Sequence, residues 1–140
     1  YMVKSPFVID PDATVKEAKN MMGELGIRHL PVIAEDGELR GLVSERDLSS
    51  AKAQEKNAKI ADFMKTDLYT VEPDANLAEV VGVMADEKIG SALVVSPGND
   101  VLGIFTTVDA LRLLADLLDD DEENLSLDDY FEDWRDYATA

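Results

Sequence analysis

The sequence predicts a mixed α/β (α+β) protein: two β-α-β-β-α units packed sheet to sheet about a pseudo-twofold axis. Three observations carry this. The chain falls on itself at an offset of 62 residues without a gap. Within each copy the apolar residues change from a strand period to a helix period and back. At 140 residues and 46% hydrophobic side chains, two copies can share a core that neither buries well alone.

DPDATVKEAKNMM aligns with EPDANLAEVVGVM, and IRHLPVIAEDGELRGLVSERDL with IGSALVVSPGNDVLGIFTTVDA. Identical pairs include Pro11/Pro73, Asp12/Asp74, Glu17/Glu79, Met22/Met84, Val32/Val94, Gly41/Gly103 and Asp47/Asp109. Each unit opens with a short strand, residues 7–9 and 69–71, ended by a Pro-Asp turn. Thr14-x-x-Glu17 reads as a capping box and Asn76-x-x-Glu79 as its counterpart helix start. The helices then carry Val15, Ala18, Met22 and Leu25, or Leu77, Val80, Val81 and Met84, at helical spacing. Strands follow at 29–34 and 39–43, then at 91–96 and 101–105, with Asp36-Gly37 and Gly98-Asn99 as hairpin turns. Second helices are expected near 45–53 and 107–118. The units are therefore 1–56 and 57–118, with 119–140 an acidic linker and a C-terminal amphipathic helix. Pseudo-twofold packing implies two equivalent clefts between the units. The lead-in Ile60-Ala61-Asp62-Phe63-Met64 has only a partial image ahead of the first unit, Tyr1-Met2, so the natural protein is expected to begin a few residues earlier.

Composition excludes much chemistry. Thirty acidic side chains face 13 basic ones, a formal charge of −17, which disfavours DNA, RNA and anionic membranes as ligands. There is no cysteine, hence no disulfide and no thiolate nucleophile or metal site. No apolar run reaches the ~20 residues of a membrane span, and no basic-then-apolar leader is present, so a soluble, cytoplasmic protein is expected. His29 is the only histidine, which removes multi-histidine metal sites and makes a histidine triad remote. No glycine-rich phosphate loop occurs. No catalytic residue, catalytic cofactor or resident metal is expected.

Two segments carry the remaining chemistry: Gly41-Leu42-Val43-Ser44-Glu45-Arg46-Asp47 and Gly103-Ile104-Phe105-Thr106-Thr107-Val108-Asp109. Each sets a hydroxyl at a helix start with an aspartate three residues on. Helix capping alone explains that spacing. The same geometry also suits a ligand: free N–H groups and a hydroxyl meet a phosphate, and the carboxylate accepts ribose hydroxyls. The motif alone favours capping, and its recurrence in both units brings the two readings closer to even.

These blocks, in this order and twice over, resemble the CBS domain, named after cystathionine β-synthase. Two in tandem form a Bateman module. The resemblance covers about residues 2–118. It implies a regulatory ligand-binding module, not an enzyme, whose relatives bind AMP, ADP, ATP, S-adenosylmethionine or dinucleotides between repeats and often form disc-shaped homodimers. Mg²⁺ would accompany ATP. Residue by residue, it implies Asp47 and Asp109 as ribose-binding carboxylates and Ser44 and Thr106 as phosphate-side hydroxyls. The base would lie near Val8 with Arg28, His29 and Pro31, or near Thr70 with Gly90 and Ser91. Arg46 beside Asp47, against Val108 beside Asp109, favours the first cleft for a charged nucleotide.

Residues 116–140 hold 11 acids and one base. Within them Leu127, Tyr130, Phe131, Trp134 and Tyr137 recur at helical spacing against an acidic face, which predicts an amphipathic helix. It would dock on its own body or, through residues 125–138, meet a protein partner. The competing functional reading is a structural dimerisation or interaction scaffold whose clefts stay empty or hold Mg²⁺.

Overall fold

The computed structural model describes residues 3–4, 7–120 and 126–127. The first half runs β1 (Val3–Lys4), α1 (Val15–Leu25), β2 (His29–Ile33), β3 (Leu39–Ser44) and α2 (Glu45–Ser49). After two single 3₁₀ turns, Ala53–Glu55 and Ile60–Asp62, come β4 (Thr70–Val71), α3 (Leu77–Glu87), β5 (Ser91–Val95), β6 (Val101–Thr106) and α4 (Thr107–Asp119). Among the described residues no helix is long and apolar enough to cross a membrane. Of the expected tail helix only Ser126 and Leu127 fall within the described residues.

The sequence offset is written into the sheets. His29 pairs with Ser44 and Leu30 with Val43; in the second hairpin Ser91 pairs with Thr106 and Ala92 with Phe105. Both ladders slip at the same place, Val32/Ile33 and Val94/Val95. Ile9 bridges Val32 in parallel as Val71 pairs with Val94. The outer edge is exchanged: Val3 pairs with Ile104, and its image Lys65 pairs with Leu42. The residues ahead of each repeat thus edge the sheet of the other. The order β1-β6-β5-β4 is matched by Lys65, β3, β2 and Ile9.

Period-two alternation then builds three cores. Leu30, Val32 and Val43 turn to α1, with Val15, Ala18 and Met22. Ala92 and Phe105 turn to α3, with Val80 and Met84. Leu42, Leu93 and Ile104 meet where sheet packs on sheet, each contributing about 1.5–3 kcal/mol when fully buried.

Three elements depart from expectation. The strand expected at 7–9 shrinks to the single bridge at Ile9, and that at 69–71 to Thr70–Val71. The helix expected over 45–53 stops at Ser49, because the hydroxyls of Ser49 and Ser50 donate to the carbonyls of Arg46 and Asp47, both at 2.7 Å. The chain then turns across the start of α1, where the N–H groups of Val15 and Lys16 donate to the carbonyls of Ala58 and Lys56 at 2.9 and 3.0 Å. Helix-start donors that would otherwise lack partners are satisfied, and Ile60 closes the first core. The pairing of β1 is too short to leave an alternating pattern in the sequence.

Gly41 permits the exchange. A Cβ there would stand 2.7 Å from the Lys65 carbonyl oxygen and 2.7 Å from Met64 Sδ. Gly41→Ala should therefore cost about 1–3 kcal/mol in chemical denaturation, since the backbone oxygen cannot swing aside. Gly82→Ala in α3, with nothing within 4 Å of its Cβ, should instead gain about 0.5–1 kcal/mol. Equal effects at the two sites would contradict the close approach.

Candidate functional site

Each hairpin runs straight into a helix, and the hinge residue is both last in the strand and cap of the helix. Ser44 Oγ accepts the Asp47 N–H at 3.0 Å, and Asp47 Oδ2 accepts the Ser44 N–H at 2.9 Å. In the second repeat Asp109 Oδ2 accepts both the N–H and the hydroxyl of Thr106, at 2.8 and 3.0 Å, while Thr106 Oγ1 accepts the Asp109 N–H at 3.3 Å. The carbonyls of Arg28 and Gly90 take the first helical N–H groups, those of Glu45 and Thr107, at 2.8 and 3.1 Å. Residues 28–29 and 44–47 are thereby locked together, as are their images.

Both motifs open on one cleft of 970 Å³ rather than on two separate ones. Arg28, His29, Ser44, Arg46 and Asp47 line it from the first repeat, and Gly90, Ser91, Thr106 and Asp109 from the second. Val8, Pro31 and Thr70 do not. Pro31 is fully buried in β2 opposite Leu42, and Val8 and Thr70 are out by one strand position: Phe7 and Tyr69 line the cleft instead. A shift of one residue sends a strand side chain to the other face. Ile27 and Ile89, again images of each other, line the cleft too. Arg112 also reaches the cleft. Its place three residues after Asp109, on the same helical face, was the sequence signal for it.

Asp109 is the one charged residue buried among the described residues, at 7% exposure, and no cation stands within 4.0 Å of it. The cap uses only Oδ2. Since no buried side-chain oxygen or nitrogen there lacks a partner, Oδ1 reaches the solvent of the cleft. Asp47 has the same division: Oδ2 serves the cap, and Oδ1 lies 4.0 Å from Lys65 Nζ. Among the described residues no group of three or more His, Asp or Glu is placed to hold a metal ion.

The chain matches the model of the CBS domain over residues 1–54 and 60–116. It is 29% identical over 111 residues to inosine-5'-monophosphate dehydrogenase of Methanocaldococcus jannaschii, covering 79% of this chain and 22% of that one. It is 32% identical over 113 residues to homoserine O-acetyltransferase of Methanococcoides burtonii, covering 81% and 23%. The chain spans 22%, 14% and 42% of the length of three curated relatives that it matches. Among solved structures, AcuB of Vibrio cholerae is 31% identical with a TM-score of 0.72, over 89% of this chain and 94% of that one. The CBS domain pair of protein MJ0100, in complex with 5'-methylthioadenosine and S-adenosyl-L-methionine, is 28% identical with a TM-score of 0.74, over 82% and 92%.

His29 reports on the cleft. Burial holds its pKa below the ordinary 6.5; Asp47 and Asp109 pull it upward, while Lys65 and Arg28 push it further down. The folded protein therefore prefers the neutral ring, and the unfolded chain takes the proton first. The associated stability is complete above pH 6.5 and is lost as pH falls from 6.5 through the folded-state value. The single histidine should titrate below 6.5 by NMR, and His29→Asn should flatten that part of the stability profile. A folded-state value above 6.5 would contradict the burial.

Proposed function

The chain belongs to the CBS-domain family, and from that premise we propose that its cleft is a regulatory site for an adenosine compound. AMP, ADP, ATP and S-adenosylmethionine are the candidate ligands, with Mg²⁺ accompanying ATP. The observation that carries the reading is the divided carboxylate. Asp47 and Asp109 each spend one oxygen on the helix cap and keep the other for the cleft, so capping and binding do not compete. Ribose offers two vicinal hydroxyl donors, which a carboxylate oxygen held in this way can accept. Phe7 and Tyr69, with Ile27 and Ile89 in the same lining, suit the flat apolar face of an adenine. The N–H groups of Arg46 and Val108, between the two that are capped in each helix start, would face a phosphate. The likeness to the MJ0100 domain pair, bound to two adenosine compounds, supports the class of ligand. The site binds its ligand and reports on it.

The scaffold reading retains one observation of its own. Leu111, Leu114 and Leu117 of α4 are 65%, 50% and 62% exposed, an apolar face of the kind that joins two copies of a chain. A homodimer through α4 is compatible with the ligand site.

Asp47→Asn and Asp109→Asn test the reading. Asparagine keeps one carbonyl oxygen for the cap but presents an NH₂ donor to the ribose, so the fold should hold. Calorimetric affinity for the adenosine ligand should fall about 10–100-fold, the worth of hydrogen bonds to a charged acceptor. Unchanged affinity in both variants would leave these carboxylates as caps alone.

A further inference from the structure

We infer that the cleft selects a phosphorylated, anionic adenosine compound over an uncharged nucleoside or a cationic sulfonium, its phosphates held by basic side chains of both repeats. This rests on the adenosine reading above and adds the charge of the ligand to it.

The first ground is where the cations are. The chain has 13 basic residues against 30 acidic ones, yet the cleft is lined by five bases, Arg28, Arg46, Lys65, Lys88 and Arg112, and four acids. The local balance is inverted relative to the molecule. Glu45 is matched by Arg28 at 3.6 Å and Asp47 by Lys65 at 4.0 Å. Arg46, Lys88 and Arg112 have no carboxylate within 4.0 Å among the described residues. Walls of low dielectric concentrate such a field, so an anion is drawn in and a sulfonium repelled. The two guanidinium groups can also grip phosphate oxygens in pairs.

The second ground is the backbone of Lys88. It caps α3 in the left-handed conformation, φ 56° and ψ 43°. Its image is Gly26, φ 66° and ψ 31°, which holds the same turn at the end of α1 without a Cβ. A lysine there carries a steric cost that glycine avoids, and Lys88 is among the residues that line the cleft. Strain kept at a site of this kind points to a role for the side chain.

Lys88→Gly gives a clean test, because it relieves the backbone while removing the charge. Titration calorimetry would compare adenosine, S-adenosylmethionine, AMP and ADP at low and high salt, on the wild-type chain and on Lys88→Gly and Arg112→Gln. ADP should bind at least about tenfold tighter than adenosine at low salt, with the gap narrowing as salt rises. Lys88→Gly should melt no lower than wild type, lose about tenfold in ADP affinity and keep its affinity for adenosine. Adenosine or S-adenosylmethionine binding as tightly as ADP, or ADP affinity unmoved in both variants, overturns the charge selection and leaves the adenosine site standing. Binding of none of the four overturns both.

Discussion

A backbone exchange between the repeats is the constraint on which the rest depends. Leu42 and Lys65 bond each other twice, N–H to carbonyl in both directions, at 2.9 Å. Val3 and Ile104 repeat the pairing on the other side of the axis. Because each repeat surrenders the residues ahead of it to its neighbour's sheet, the sheets cannot slide independently. Leu42, Leu93 and Ile104 are then pressed together between them. Lys65 is carried to the edge of the first hairpin, where its side chain approaches Asp47. The relative placement of Ser44 and Thr106, and hence the width of the cleft, follows from this exchange.

Within that frame a single local device serves twice. A hydroxyl-x-x-aspartate cap is an economical way to end a strand and begin a helix, and it fixes one carboxylate oxygen through the helix start itself. The unspent oxygen is then held rigidly at the mouth of the cleft. The two copies are alike in this and unlike around it. Arg28 and Arg46 flank the first carboxylate where Gly90 and Val108 flank the second, while Lys88 and Arg112 supply cations on the second side where Gly26 and Ser50 stand on the first. Duplication gave the molecule equivalent anchors, and divergence gave them different electrostatic surroundings.

Most of this architecture was legible in the chain because the repeat is gapless: one offset carries every α-helix start, hairpin and bulge from one half to the other. The caps were legible because hydroxyl, aspartate and spacing are all local. What escaped were features set by the other half of the molecule. Phe7 and Tyr69 stand just ahead of pairings of only one and two residues, too short to express alternation, so nothing local distinguishes them from Val8 and Thr70 as the cleft-facing positions. Pro31 has the sequence place of a base-site residue, yet it is fully buried in β2 opposite Leu42. The early end of α2 came from two serine hydroxyls competing for carbonyls, and from helix-start donors in α1 more than thirty residues away that needed acceptors. Val3–Lys4 gave no sign at all, since its partner lies about a hundred residues downstream.

Native-state hydrogen exchange, read residue by residue, tests the central claim most directly. If the reciprocal pairing holds the repeats as one body, the amides of Leu42 and Lys65 exchange only with global unfolding, at the rate of Leu30 and Leu93 in the cores. Exchange of Lys65 at the rate of an unpaired linker, with the cores still protected, would mean that the repeats are merely tethered and that the shared cleft is not a fixed feature of the molecule.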